Sequence, residues 1–229
     1  MNTHLIALLF FAATVVIYGV SKGLYQRRPR LWLSPVVVTP IALIILVKLT
    51  HTPFAVYFED TRWLSWLLGP ATIAFAYPIY TQRALLRRYP VTLFVGVSAG
   101  LCLGLFSSWL LARLFGLPPD LAHSLLPRSV STPFALAAAG AFGGDKNLTV
   151  ICVMVTGIFG LLIGDAFLGW LGLRSSVSKG AALGASAHGF GTSKAYEIGD
   201  QEGAVASLVM VFTGVSMVLL APLFAHWVG

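Results

Sequence analysis

Apolar residues in this chain come in long blocks, separated by short polar or glycine-rich breaks. The runs Leu5 to Val20, Leu31 to Leu49, Trp63 to Tyr80, Val91 to Phe115, Leu148 to Leu171 and Ala204 to Val228 each predict one helix. A helix of about 17 to 25 apolar residues crosses a hydrocarbon core about 30 Å thick, so the pattern predicts an all-α membrane protein with about six transmembrane helices. A membrane β-barrel would instead show strands of about ten residues alternating apolar and polar positions. Two further segments break the pattern. Arg128 to Phe142 holds only enough apolar residues for about 20 Å of helix, with Pro127 and Pro133 at its start. Gly180 to Gly199 carries five glycines together with His188, Lys194 and Glu197. Both predict broken or re-entrant segments, which survive at membrane depth where protein or a wet cavity satisfies the freed backbone groups.

The distribution of charge orders these elements. Lys22, Arg27, Arg28 and Arg30 follow the first helix, and Arg83, Arg87 and Arg88 follow the third, so both loops are expected on the cytoplasmic side. The loop between them, with Glu59, Asp60 and Arg62, falls outside, which puts the N-terminus and the C-terminus outside as well. If Arg128 to Phe142 spanned the bilayer, Arg174 and Lys179 would land outside; as a re-entrant segment it leaves them inside. The two broken segments then enter from opposite faces, each before a long helix, and form an inverted repeat of the kind that builds transport sites. Thr156-Gly157 recurring as Thr213-Gly214, and Thr72, Thr132 and Thr192 spaced sixty apart, fit such a repeat. Residues 1–62 are expected as peripheral N-terminal helices and 63–229 as the core of a single membrane domain.

Composition sharpens the class. The 229 residues are 57% hydrophobic and 10% charged, with a formal charge of +7. A soluble globule carries about 25% charged residues and is excluded. The basic residues collect in loops between apolar runs, so nucleic acid is not the expected partner. Cys102 and Cys152 both fall inside apolar runs, and neither a disulfide framework, a metal nor a cofactor is expected. Leu5 to Val20 has its basic cluster after it, the reverse of a signal peptide, and is read as a retained helix.

The polar residues inside the apolar regions are the candidate site. Arg128 begins a Ser/Thr-rich segment, where a guanidinium and a helix N-terminus together suit a carboxylate, or it snorkels to the interface. Ser129, Ser131 and Thr132 either donate hydroxyls to the same anion or bond back to their own helix. His188, Gly189, Gly191, Thr192 and Lys194 form a glycine-loosened stretch suited to close approach of backbone to ligand. Lys194 pairs with substrate or with Glu197, and Glu197 or His188 is the candidate for proton coupling. Asp165, inside an apolar run, lines a cavity or sits near a helix end. Gly189 to Lys194 lacks the Gly-Lys-Ser/Thr order of a phosphate loop, and no Gly-x-Ser-x-Gly arranges Ser, His and Glu as an enzyme would.

Pro127-Arg-Ser-Val-Ser-Thr-Pro133, then Gly143-Gly144, Thr156-Gly157 and Gly184-Ala-Ser-Ala-His188-Gly-Phe-Gly-Thr192-Ser-Lys-Ala-Tyr-Glu197, together with Leu68-Gly-Pro-Ala-Thr-Ile-Ala74, resemble the LrgB/CidB family of bacterial inner-membrane proteins. The resemblance covers nearly the whole chain. It implies holin- or antiholin-like control of murein hydrolases and lysis, or movement of pyruvate-like, glycolate-like or glycerate-like small 2-oxo and 2-hydroxy acids. It also implies a small membrane partner of the LrgA/CidA type, and a homo-oligomer is expected. Of these, a small-carboxylate transporter, proton-coupled or facilitative, is the expected function, with holin-like regulation as the alternative.

Overall fold

A computed structural model describes residues 3–28, 30–74 and 76–228, and every regular element among them is helical. The chain forms two compact units, residues 1–73 and 74–229.

In the first unit, α1 (Thr3–Arg27) packs with α2 (Pro35–Leu49) and α3 (Phe54–Trp66). A hydroxyl pair, Ser21 Oγ to Thr39 Oγ1 at 2.8 Å, joins α1 to α2, and His4 Nδ1 meets Glu59 Oε1 of α3 at 2.8 Å. Two expected spans come out differently. The run Leu31 to Leu49 forms a helix of 15 residues. At 1.5 Å per residue this helix is about 22 Å long, short of the hydrocarbon thickness. The run Trp63 to Tyr80 is not one unbroken helix, because α3 ends at Trp66 before α4 (Leu68–Ala74) begins; α5 (Ala76–Thr81) and α6 (Arg83–Arg88) come later in the chain. Proline explains the break after α3: a proline ring clashes with the carbonyl four residues earlier, and for Pro70 that carbonyl belongs to Trp66, the last residue of α3.

The second unit is built on three long helices, α7 (Pro90–Leu114), α10 (Lys146–Trp170) and α12 (Asp200–Val228). With α1 they make four helices, among the described residues, that are long and apolar enough to cross a membrane. Of the most apolar stretch of α12, 67% is buried, against 28% for α7 and 17% for α10, so α12 is the central post and the other two face outward.

Between the posts lie two helical hairpins. The first comprises α8 (Pro119–Leu125), a 3-10 turn Leu126–Ser129 and α9 (Thr132–Phe142). It starts nine residues before the expected Arg128, because the descending arm, with its Asp120 and His123, does not register as apolar. The chain comes back to where it entered: Ser124 Oγ accepts the Asp145 N–H at 2.8 Å, and Gly144 leaves no room for a Cβ against the Ser124 backbone. Gly143, in the left-handed region at φ 71°, ends α9 there. Asp145 then caps α10, its Oδ1 accepting the N–H groups of Asn147 and Leu148 at 2.8 and 2.9 Å. Asp145→Ala is expected to lower the stability of the purified protein by about 1 kcal/mol, read as a fall in the thermal midpoint, whereas Asp145→Asn retains most of it.

The second hairpin is α11 (Ser176–Ile198), which doubles back at Ala187 and His188, where φ and ψ leave the helical region. In a straight helix Leu183 and Gly191 would stand about 12 Å apart. Here the position a Gly191 Cβ would take falls on the Leu183 carbonyl oxygen, so the two arms lie side by side. The hairpin begins at Ser176 rather than the expected Gly180, since Val177 and Ala181 are part of its buried face.

The hairpins enter from opposite ends. The first opens at the end where α7 finishes and α10 starts; the second opens where α10 finishes and α12 starts. Arg174 and Lys179 therefore share an end with Arg83, Arg87 and Arg88, as the re-entrant reading requires. Cross-packing between the two halves is reciprocal, as an inverted repeat requires. Phe190 of the second hairpin covers Gly157 of α10, and Phe134 of the first covers Gly214 of α12. Each long helix thus receives a phenylalanine from the other repeat's hairpin, at the glycine of the repeated Thr-Gly pair.

Candidate functional site

The tips of the two hairpins meet against α7. Glycines at 96, 100 and 104 form one face of that helix, one turn apart. Gly100 faces Ala185 of the second hairpin, and Gly104 faces Ser129 of the first so closely that a Cβ would collide with the Ser129 hydroxyl. A cavity of about 420 Å³ opens there, lined by Arg128 and Ser129 on one side and by Ala181, Ala182, Ala185 and Ser186 on the other. Its walls are almost entirely small or apolar, so the guanidinium supplies the charge.

Arg128 is half-buried and held by three hydroxyls. Nε donates to Ser108 Oγ at 3.0 Å, Nη2 to Ser107 Oγ at 2.9 Å and Nη1 to Thr156 Oγ1 at 3.3 Å. Each hydroxyl has its own proton placed elsewhere: Ser107 and Ser108 donate to Gly104 O at 3.1 and 2.7 Å, and Thr156 to Cys152 O at 2.8 Å. Their lone pairs are thereby turned toward the arginine. Among the described residues no carboxylate lies within ion-pair distance of Arg128. A guanidinium has five N–H donors, so one remains on each terminal nitrogen after these bonds. The cation is thus oriented without being neutralised.

Beside it are two buried hydroxyls. Ser129 is 4% exposed and Ser131 6% exposed, and neither Oγ has a hydrogen-bond partner among the described residues. Ser131 is the N-cap of α9, but its side chain makes no capping bond. A buried hydroxyl left unpaired costs about 1 to 3 kcal/mol, and a cluster of donors around a cation is satisfied by an anion.

The other expected site residues are placed otherwise. Thr132 is the first residue of α9, half-buried behind Ser131. His188, 3% exposed, forms the tip of the second hairpin, with Nε2 hydrogen-bonded to Val153 O at 3.1 Å. Gly189 faces open space, Gly191 packs on the Leu183 carbonyl, and Thr192 donates to Met210 Sδ at 3.5 Å. None of these five lines the cavity. Lys194 pairs with Asp165 at 2.8 Å and with Glu197 at 3.1 Å, away from the cavity walls. The contribution of the second hairpin comes from its first arm, Ala181 to Ser186, rather than from the glycine-rich stretch after the turn. Ser107, Ser108 and Thr156 are functional candidates that sequence reasoning misses; the adjacent serines inside the apolar run of α7 are the available signal.

No solved structure matches this chain. Curated relatives do. It is 37% identical over 97% of both chains to the uncharacterized protein YxaC of Bacillus subtilis (strain 168), and 36% identical to YwbG of the same organism over 91% of this chain and 93% of that one. Holin-like protein CidB of Staphylococcus epidermidis is 30% identical over 97% of both chains. The profile of the LrgB-like family matches residues 14–227, and with relatives of this similarity along the whole length, the chain belongs to the LrgB-like family of membrane proteins.

Proposed function

We propose that this protein moves small carboxylates across a bacterial inner membrane, with Arg128 as the partner of the carboxylate. One observation carries the reading: a guanidinium at the tip of a hairpin, oriented by three hydroxyls and lacking an acidic partner among the described residues, faces a cavity of about 420 Å³. A structural cation at this depth would normally be neutralised by an acid, because an unpaired charge in an apolar medium is costly. An anion that arrives and leaves supplies the missing charge. Inverted hairpins meeting at one cavity are the usual architecture for such passage. The family resemblance favours small 2-oxo or 2-hydroxy acids, and the cavity holds molecules of that size.

A second reading has its own support: the relative named above for a function is called holin-like, at 30% identity over nearly the whole of both chains. In that case the chain regulates murein hydrolase export and lysis, beside a small LrgA/CidA-type membrane protein. The experiment that separates the two is uptake of radiolabelled pyruvate, glycolate and glycerate into liposomes holding the purified protein alone. Saturable uptake above that of protein-free vesicles is the expected result. Absence of uptake for all three acids, by protein that still complements a holin-like lysis phenotype in cells, removes the carrier reading in favour of the second.

A further inference from the structure

We propose that the Asp165, Lys194 and Glu197 cluster is a latch that holds the second hairpin closed against α10, and that this hairpin is the arm that moves to open the cavity. The inference rests on reading the cavity as the site of passage.

The two hairpins are alike in path and unlike in how their second arms are fastened. In the first, α9 lies on α12 through Phe134, Ala135, Ala138 and Phe142, packed with Met217 and Ala221. In the second, the returning arm of α11 lies on α10 through Phe190 over Gly157 near the turn and, toward its other end, through Lys194, whose ammonium is 2.8 Å from Asp165 Oδ2 of α10 and 3.1 Å from Glu197 Oε2 of its own helix. The Thr-Gly pairs at 156 and 213 set the offset between repeats at 57 residues. Applied to the latch, that offset carries Asp165 onto Pro222 and Lys194 onto Ala137, and the sixty-residue spacing of Thr132 and Thr192 carries Lys194 onto Phe134. The equivalent position in the first repeat therefore has no charge, and the latch belongs to the second hairpin alone.

Chemistry distinguishes the two fastenings. Apolar packing between helices in a bilayer is exchanged for equally apolar lipid and has no switch. An ion cluster has two defined states, paired or separately hydrated, and water, protons or ions shift it between them. The cluster lies near the end of α10 and is partly exposed. Asp165 lies five residues before the end of α10. That is about 7.5 Å along the helix axis. The side chain of Asp165 is 57% exposed and that of Glu197 38% exposed, while that of Lys194 is 13% exposed. Asp200 and Glu202, both in the first turn of α12, are the other acids next to this arm, with Glu202 against Gly199. The turn at the other end of the arm supplies a hinge. There His188 has φ 40° and ψ -127°. Such a conformation is unfavourable for a residue with a side chain and is held by the packing around it. Ala181 to Ser186 on the first arm form one wall of the cavity, so release of the second arm loosens that wall.

The test uses a single reporter cysteine, Ser186→Cys, in a chain with Cys102→Ser and Cys152→Ala, reconstituted in vesicles and labelled with a membrane-impermeant maleimide with no carboxylate present. Asp165→Asn and Lys194→Gln are each expected to raise the labelling rate at least fivefold from the end bearing Arg174. The charge exchange D165K/K194D, which keeps one ammonium among two carboxylates, is expected to return the rate to within twofold of the parent. Unchanged labelling in both single variants, with gel-filtration profiles like the parent, overturns the latch. So does an exchange variant that folds and labels as fast as the single ones. Should Asp165→Asn fail to accumulate, Lys194→Gln removes the same bond to α10 from the other side, and an unchanged rate there overturns the proposal by itself. Because labelling is read without any acid, a negative result leaves the carboxylate reading standing, and failure of uptake leaves the latch testable.

Discussion

Arg128→Gln is expected to raise the apparent Michaelis constant for carboxylate uptake tenfold to a hundredfold while the protein still accumulates in the membrane. The magnitude follows from loss of a charge-assisted hydrogen bond, worth about 1.5 to 3 kcal/mol, at about 1.4 kcal/mol per factor of ten. Survival of the fold follows from where the hydroxyl protons go. Ser107, Ser108 and Thr156 donate to backbone carbonyls of their own helices, so removing the guanidinium leaves them short of a donor but with their own protons still bonded. Arg128→Lys keeps the charge and gives up the geometry. An ammonium has three donors around one nitrogen and cannot both engage three hydroxyls on two helices and present two parallel N–H groups to an anion. It is expected to weaken uptake relative to the parent, though less than Gln does, and the order parent, Lys, Gln is the readout. If fully expressed Arg128→Gln transports with unchanged apparent affinity, Arg128 is an anchor only, and recognition of the acid lies elsewhere.

Much of this arrangement is legible in the chain, and where it is not, the cause is physical. The three posts α7, α10 and α12 read directly because little that is polar interrupts them over the length a bilayer demands. The hairpins read from shortage of length and excess of glycine and proline. Trp63 to Tyr80 misleads because Pro70 leaves hydropathy untouched while disrupting the carbonyl register behind it, so a break in geometry leaves no break in composition. Gly191 suggests room for a ligand. What it signals is close approach, and the partner is backbone, the Leu183 carbonyl, just as Gly184 meets the Ala206 carbonyl. Arg128 and Ser129 are visible as polar groups in an apolar region. The hydroxyls that hold the arginine are not, because each bonds back within its helix as an inert membrane serine or threonine does. They also lie 20 to 28 positions from Arg128.

The inverted repeat makes a pair of substitutions that should behave alike although they lie in different helices. A Cβ at Gly157 would fall inside the Phe190 ring and 2.7 Å from His188 Cε1; a Cβ at Gly214 would fall inside the Phe134 ring, 2.6 Å from its Cγ. Gly157→Ala and Gly214→Ala each gain about 0.5 to 1 kcal/mol of helix preference but force an aromatic ring off its seat, an overpacking cost of about 1 to 3 kcal/mol. Both are therefore expected to lower the thermal midpoint in detergent, by about 2 to 4 °C for each kcal/mol of net loss in a chain of this size. The obstruction is a side chain, so it can be removed: Phe190→Leu should recover most of the loss in Gly157→Ala, and Phe134→Leu most of that in Gly214→Ala. The crossed combinations, Gly157→Ala with Phe134→Leu and Gly214→Ala with Phe190→Leu, should recover nothing, since each phenylalanine seats only on the other repeat's helix. Gly184→Ala is the control with no remedy. Its Cβ would meet the Ala206 carbonyl oxygen and lie 2.8 Å from Ala206 Cα, and no side-chain substitution moves a backbone out of the way. Equal rescue by crossed and matched partners would show that the two Phe-Gly contacts do not hold the repeats together as drawn, and the hairpins would then have to be fastened by α7 and the arms alone.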